Sequence, residues 1–227
     1  MTEKAAQKAV KEKKKAALEA TKKGVSIPRK FTRTSTNPLD EIKYIKRDSL
    51  ITNSDGSIVF KMDGAEVPEA WSQLATDILV SKYFRKNGVP KTTHETSLRQ
   101  VVERIVKAIR WAGEESGKYF ASKDDAETFE AELSYMLANQ IGAFNSPVWF
   151  NCGLYHSYGI EGSGGNWYWD PAEKDYKQTD NSYKKPQCSA CFIQSIDDDL
   201  MSIFELAKNE AKLFKYGSGT GTNFSNL

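Results

Sequence analysis

The sequence predicts an α/β protein in which a mostly helical segment, residues 38–142, is followed by the beginning of a strand–helix–strand unit. Two observations predict this fold class. Between residues 68 and 142, apolar residues recur at three- and four-residue intervals, which is typical of helices with one buried face. After residue 189, a short apolar strand, a helix and a glycine-rich loop lead to a second strand, which is how an α/β unit begins.

The composition is that of a globular protein, since 39% of the 227 residues are hydrophobic and 27% are charged. No apolar run approaches the roughly 20 residues that are needed to span a bilayer, and no apolar leader segment is visible at the N-terminus. We therefore predict a cytoplasmic protein with no membrane partner. The net charge of +2 neither favours nor excludes a polyanionic partner.

Residues 1–37 form a basic stretch that includes a run of lysines at positions 13–15. Within the helix-prone residues 1–24, Val10 and Leu18 are too few to form a core-facing stripe. We therefore predict a flexible, solvated tail. A nucleic-acid-binding arm is the alternative, but no aromatic residue lies among the lysines to support it.

A hairpin and three helices are predicted between residues 38 and 142. The turn signal at residues 53–56 (Asn-Ser-Asp-Gly) precedes a predicted strand at residues 57–62. Three apolar stripes predict the helices. These stripes consist of Trp71, Leu74, Ala75, Ile78 and Leu79, then Leu98, Val101, Val102, Ile105, Val106 and Ile109, then Phe129, Leu133, Met136, Leu137 and Ile141.

Residues 143–187 are rich in Gly, Asn, Tyr and Trp, and they predict a long loop. A loop of this length is usually functional or disordered, and three aromatic residues within positions 162–169 favour an ordered one. A buried strand is predicted next, at residues 190–196. The acids at positions 197–199 then suit the start of a helix, which Gly217 would end.

Cys188 and Cys191 form a CxxC pair, a spacing that is found in redox sites and zinc sites. Cys152, His94 and His156 are the other cysteine and histidines of the chain, so a four-ligand zinc site is not favoured. An odd number of cysteines also argues against a disulfide framework. A redox role and a plain core position both remain open for the pair, and Cys191 is predicted to lie inside the strand.

Two further motifs could carry chemistry. The stretch at 217–222 (GSGTGT) lacks the lysine of a P-loop, and it follows a helix rather than a strand, so it does not match a dinucleotide-binding turn. It predicts only that backbone passes close to a phosphate or another strand. In residues 144–151 (FNSPVWFN), Ser146 precedes a proline and should be extended. Its hydroxyl could donate to an anion, although a structural turn is the simpler interpretation.

Taken together and in this order, the motifs resemble class II ribonucleotide reductases. The matching stretches are FNSPVWFN, an aromatic loop, KPQCSACFIQSIDDDL and FKYGSGTGTNFSNL, and upstream VPEAWSQLATDILVSKYFRKNGVP and ETSLRQVVERIV. The resemblance covers residues 38–227. It implies a mostly helical N-terminal domain (38–142) followed by the start of the reductase α/β barrel (143–227), truncated in a split-gene half, an incomplete gene or one side of an intein-interrupted gene.

The resemblance also implies roles for individual residues. Cys191 matches one of the two reducing thiols, and no metal ligand is expected. Positions that resemble substrate contacts are Ser146, Ser189, Ala190, Gly219 and Gly221. Positions that resemble the specificity-effector site, at the head of a dimer-interface helix, are Asp198 and Leu200. A carboxylate such as Asp198 is well suited to accept a hydrogen bond from a sugar hydroxyl.

The partners that the resemblance implies are a ribonucleoside diphosphate substrate, a deoxynucleoside triphosphate effector, a thioredoxin-like reductant and the missing C-terminal reductase portion. Its cofactor would be adenosylcobalamin, held mostly by that missing portion, and a homodimer would form through helix 198–216. The isolated chain should be inactive. One alternative is a non-catalytic module that binds a nucleotide effector and dimerises, and another is a small thiol oxidoreductase using Cys188 and Cys191.

Overall fold

The computed structural model describes residues 24–115 and 119–227. Its first regular elements are two long antiparallel strands, β1 (Tyr44–Thr52) and β2 (Ile58–Pro68), which form a hairpin around the predicted turn. The hairpin is therefore confirmed, but its second strand is longer than the sequence pattern predicted. Since these strands lie within residues 38–142, the description of that segment as mostly helical is not confirmed.

The three predicted helices are present. The first, α1 (Gln73–Ile78), continues into a π-helix at Leu79–Tyr83, and it is followed by α2 (Leu98–Glu115) and α3 (Lys123–Ala138). Ser72 and Ser122 cap α1 and α3 by accepting a backbone N–H with their hydroxyls. The third helix ends at Ala138 and so does not include the last residue of its predicted stripe.

The apolar stripes of these helices and the end of β2 form the core. Val148 and Trp149 of α4 (Ser146–Asn151) also pack into it. Burying such side chains stabilises the fold by roughly 1.5–3 kcal/mol for each large one. The fully buried apolar side chains include Leu39, Val67, Val80, Leu98, Val101, Val102, Ile105 and Val106.

Residues 25–32, which fall within the predicted basic tail, lie against α3. The carboxylate of Asp125 accepts the Ile27 amide at 2.7 Å, and Glu132 accepts the amides of Phe31 and Thr32. Residues 1–23, the larger part of that predicted tail, lie outside the described residues.

The segment predicted as a long loop contains structure of its own. After α5 (Leu154–Tyr158), strands β3 (Trp167–Asp170) and β4 (Asp175–Gln178) form a small antiparallel hairpin. Backbone hydrogen bonds on both sides of the hairpin, such as Thr179 N to Asn166 O at 2.8 Å, hold its base. The loop is thus ordered by local pairing that its polar composition did not predict.

The last elements are β5 (Cys191–Ser195), α6 (Leu200–Lys215) and β6 (Gly219–Asn223). Strands β5 and β6 are parallel, as expected for a strand–helix–strand unit. The fold is therefore mixed α/β, although the strands of the described residues pair only two by two and form no closed barrel. Over residues 24–115 and 119–227, no helix has the length and apolar character needed to cross a membrane.

Candidate functional site

Cys191 is the first residue of β5, and its side chain is exposed. It pairs with Gly219 of β6, whose amide donates to the Ala190 carbonyl at 2.6 Å. Because Gly219 has no side chain, the surface beside the thiol is left open. The arrangement presents a thiol on a backbone that is hydrogen-bonded to its neighbour strand.

Two expectations about this unit are wrong. The strand is not buried, since Ile193 is 83% exposed. Among the described residues only β6 pairs with it, and no element covers that face. Gly219 and Gly221 lie in strand β6 rather than in a loop, because their backbones pair with Cys191 and Ile193.

The backbone that leads into Cys191 is held by a cluster of side-chain amides and hydroxyls. Gln187 Nε2 donates to Ser218 Oγ at 2.7 Å and to the Ser189 carbonyl at 2.8 Å. Ser218 Oγ donates to the same carbonyl at 2.7 Å. Ser189 and Ala190, both predicted substrate contacts, are therefore fixed relative to the chain that enters β6.

Asn151, at the end of α4, connects this cluster to the core. Its Nδ2 donates to the Gln187 carbonyl at 3.1 Å and to the Tyr216 carbonyl at 3.2 Å. Asn151 ends the motif at 144–151, and Gln187 and Tyr216 directly precede the motifs at 188–191 and 217–222. One asparagine side chain therefore brings the three motifs together.

Helix α4 is itself held by a buried arginine. Arg104 of α2 donates to the carbonyls of Trp149 and Cys152, at 2.8 and 2.7 Å, at the C-terminal end of α4. A cation at this end of a helix satisfies carbonyls that have no partner within the helix. Glu95 lies 2.7 Å from the Arg104 Nε and balances its charge.

Glu95 and Arg104 have fully buried side chains. The second oxygen of Glu95 accepts the Arg85 amide at 2.7 Å, and the first also accepts the Tyr158 hydroxyl at 2.8 Å. A buried ion pair is tolerated when its remaining polar atoms are also hydrogen-bonded, and these contacts meet that requirement. Burial and the neighbouring Glu95 charge raise the pKa of Tyr158, which stays a neutral donor.

Ser146 lies at the opposite end of α4, about 8 Å along the helix from Asn151. The expectation that Ser146 is extended is wrong, because α4 begins at Ser146, and Asn145 is the extended residue. The Ser146 hydroxyl is half-buried and lies 3.1 Å from the Tyr83 hydroxyl.

Asp198 and Leu200 lie away from the thiol. They follow the C-terminal end of β5, which is about 13 Å from Cys191 at the usual rise of a strand. Both are exposed, and Asp199 rather than Asp198 caps α6 by accepting the Ser202 amide at 2.9 Å. The structure therefore separates the predicted effector positions from the predicted reducing thiol.

The thiol nearest Cys188 is that of Cys152, with the two sulfur atoms 3.3 Å apart. Cys188 is half-buried at the edge of the core, whereas Cys191 is exposed. The CxxC spacing therefore did not identify the closest thiol pair, which joins residues 36 positions apart.

Sequence reasoning missed the residues that hold the site together, namely Asn151, Gln187, Ser218, Arg104 and Glu95. Arg104 lies beside the apolar stripe of α2 in the sequence. That position was a signal, since a buried arginine needs a partner. The polar residues in and beside the three motifs, Asn151, Gln187 and Ser218, carried no signal of their own, because their role depends on contacts between distant parts of the chain.

Two family profiles match separate parts of the chain. A family profile described as class II vitamin B12-dependent ribonucleotide reductase matches residues 45–140. A second profile, described as ribonucleotide reductase, barrel domain, matches residues 189–227.

Relatives named vitamin B12-dependent ribonucleotide reductase are similar over most of the chain. The protein from Rhodopirellula baltica is 44% identical over 214 residues, which cover 93% of this chain and 20% of the relative. The protein from Agrobacterium fabrum is 42% identical over an alignment of 237 residues, and the alignment covers 88% of this chain and 19% of the relative. This chain thus spans about a fifth of the length of the curated relatives it matches, and it belongs to the class II vitamin B12-dependent ribonucleotide reductase family.

Proposed function

We propose that the chain is the N-terminal portion of an adenosylcobalamin-dependent ribonucleoside-diphosphate reductase that makes deoxyribonucleotides for DNA synthesis. It works together with a C-terminal portion that corresponds to the other four fifths of the relatives. The observation that carries the proposal is the exposed thiol of Cys191 on a strand whose entry is held by Gln187 and Ser218. A reacting group needs such support from its surroundings to keep its geometry.

The role assigned to Cys191 is that of one of the two thiols that reduce the ribose. The C2′–O bond breaks, a C2′–H bond forms and water leaves, while the two thiols lose two electrons and become one disulfide. The partner thiol comes from outside this chain, because Cys152 and Cys188 contact each other rather than Cys191. A thioredoxin-like protein then restores the thiols by exchange, in a reducing cytoplasmic location.

The substrate diphosphate and ribose are assigned to the surface around the thiol. Backbone groups of Ser189 and Ala190 precede Cys191 directly, and Gly219 and Gly221 line the neighbouring strand without side chains that would block access. Ser146 is a hydroxyl donor toward the diphosphate, and Tyr83 lies within hydrogen-bond distance to orient it.

Asp198 and Leu200 are assigned to the deoxynucleoside triphosphate effector, with Asp198 accepting from a sugar hydroxyl. The same helix, α6, exposes apolar side chains that a second copy would cover, namely Leu200, Met201, Ile203, Phe204 and Phe214. Large exposed apolar patches usually mark an interface, and we assign this one to a homodimer.

Cobalamin is not assigned to residues of this chain. It is a wide macrocycle that needs an enclosed surface, whereas the side of β5 that carries Cys191 and Ile193 is open to solvent in the described residues. When bound, the cofactor supplies the radical that starts the reaction. No step of the thiol chemistry described for Cys191 depends on where it binds.

A chimera tests the proposal directly. In it, this chain replaces the matching fifth of the Rhodopirellula baltica relative. With a ribonucleoside diphosphate, adenosylcobalamin and a dithiol, the chimera should form deoxynucleotide, and the isolated chain should form none. Cys191→Ser should abolish turnover, whereas Cys188→Ser, three residues away, should keep it.

Two outcomes would overturn the proposal. Turnover that survives Cys191→Ser but not Cys188→Ser would show that the reducing thiol is assigned to the wrong residue. A folded chimera that binds a deoxynucleoside triphosphate and dimerises but never turns over would favour the non-catalytic module.

A further inference from the structure

Cys152 and Cys188 form a thiol pair that the proposed reduction chemistry does not use. Their sulfur atoms are 3.3 Å apart. Cys152 directly follows α4, and Cys188 lies three residues before the exposed Cys191. The pair therefore joins the core to the segment that leads into the predicted reducing thiol.

The backbone on both sides of the pair is held in place. Arg104 donates to the Cys152 carbonyl at 2.7 Å, and Asn151 donates to the Gln187 carbonyl at 3.1 Å. A disulfide bond is about 2.05 Å long, so the two sulfurs need to approach by only about 1.2 Å. Side-chain rotation can supply that movement while these hydrogen bonds stay formed.

The two thiols differ in access. Cys152 is buried, whereas Cys188 is half-buried at the edge of the core. The hydrogen bond from the neighbouring thiol holds the pKa of Cys188 below its ordinary value, and the same contact together with burial raises the pKa of Cys152. Of these two thiols, Cys188 would therefore react first with a small oxidant, since the thiolate is the reactive form.

We propose that Cys152 and Cys188 are a redox-sensitive modification site that closes reversibly to a disulfide in response to peroxide. The Cys188 thiolate attacks hydrogen peroxide, and the O–O bond breaks to give a sulfenic acid and hydroxide. The hydroxide takes up the proton that Cys188 released on ionising and leaves as one water. The Cys152 sulfur then displaces hydroxide from the sulfenic acid. This hydroxide takes up the Cys152 proton and leaves as a second water. Two thiols and one peroxide thus give one disulfide and two waters, and a dithiol reverses the bond by exchange.

The disulfide fastens the entry of β5 to the end of α4 and closes a loop that contains the β3–β4 hairpin. A covalent link across 36 positions removes freedom mainly from the unfolded chain. It also restrains the residues just before Cys191. The site thus lets an oxidant change the mobility of the thiol strand through a bond that does not include Cys191, and the inference does not depend on the proposed reductase activity.

The test uses the purified 227-residue chain, reduced and then treated with a slight excess of hydrogen peroxide. The remaining free thiols are then alkylated under denaturing conditions, and the peptides are mapped by mass. Cys191 should be alkylated, and Cys152 and Cys188 should occur in a cross-linked peptide pair. The cross-link should also form in Cys191→Ser, which is the matched control. It should be absent from Cys188→Ser and from Cys152→Ala.

A second measurement does not depend on how the variants fold. In the wild-type chain, oxidation should raise the melting temperature by on the order of 10 °C, and it should slow amide exchange in β5. Dithiothreitol should reverse both effects. A cross-link between Cys188 and Cys191, or peroxide uptake that leaves Cys152 and Cys188 unlinked, would overturn the inference.

Discussion

Replacing Arg104 by methionine should destabilise the chain more than any exposed substitution on the same helix. The side chain is fully buried, and it donates to Glu95, to the carbonyls of Trp149 and Cys152 and, at 3.3 Å, to the Tyr83 carbonyl. Methionine fills much of the volume but supplies no donor. The Glu95 carboxylate would then be a buried charge without its cation.

The size of the effect follows from these contacts. Breaking a buried ion pair by removing one partner costs about 3–5 kcal/mol. For a chain of this size, that corresponds to a fall in melting temperature of roughly 6–20 °C. The same change releases the C-terminal end of α4, so Asn151 should lose its fixed position beside the segment that leads into Cys191.

Urea unfolding followed by circular dichroism at pH 7 measures the free energy of unfolding. The matched control is Lys107→Met, one turn further along α2, where the ammonium pairs with Glu103 at 2.9 Å but is 55% exposed. That variant should lose less than about 1 kcal/mol. Adding Glu95→Gln to Arg104→Met should cost less than the sum of the two single changes, because no unpaired charge then remains. A loss below about 1 kcal/mol for Arg104→Met would refute the assigned role.

Three further predictions concern other parts of the chain. Acidification should release Phe31 and Thr32 from α3. Burial acts to raise the pKa of Glu132, but hydrogen bonds from Thr32 and the Phe31 amide outweigh burial and hold that pKa below its ordinary value of 4.5. The stabilisation that the Glu132 carboxylate provides is present above pH 4.5 and is lost as the pH falls through the lowered pKa. The Phe31 and Thr32 amides should therefore lose protection from hydrogen exchange in that range. Protection that persists at pH 2 would contradict this prediction. In the chimera, Asp198→Ala should abolish the response of substrate preference to deoxynucleoside triphosphates while turnover continues, and an unchanged response would remove Asp198 from the effector site. Limited proteolysis should cut first in the exposed turn at residues 171–174 and spare helices α2 and α3. Early cleavage inside α2 or α3 would show that the core is not formed.

Periodicity and turn chemistry were sufficient for the local elements. The stripes predicted α1, α2 and α3, and the turn at residues 53–56 predicted the first hairpin. These features depend on residues close together in the chain, so a single sequence carries them. The β3–β4 hairpin was missed because its strands are only four residues long and lie among glycines and polar residues, and its order comes from backbone pairing.

The sequence by itself determined the family, because three weak motifs in a fixed order are specific when taken together. It also predicted that Cys191 lies in the strand. Only the tertiary structure decided that Asn151 joins the three motifs, that Arg104 holds α4, and that Cys188 lies beside Cys152 rather than beside Cys191. The physical reason is that these contacts join residues 36 to 65 positions apart, and the short-range spacing of side chains holds no information about which distant backbone will pack against them.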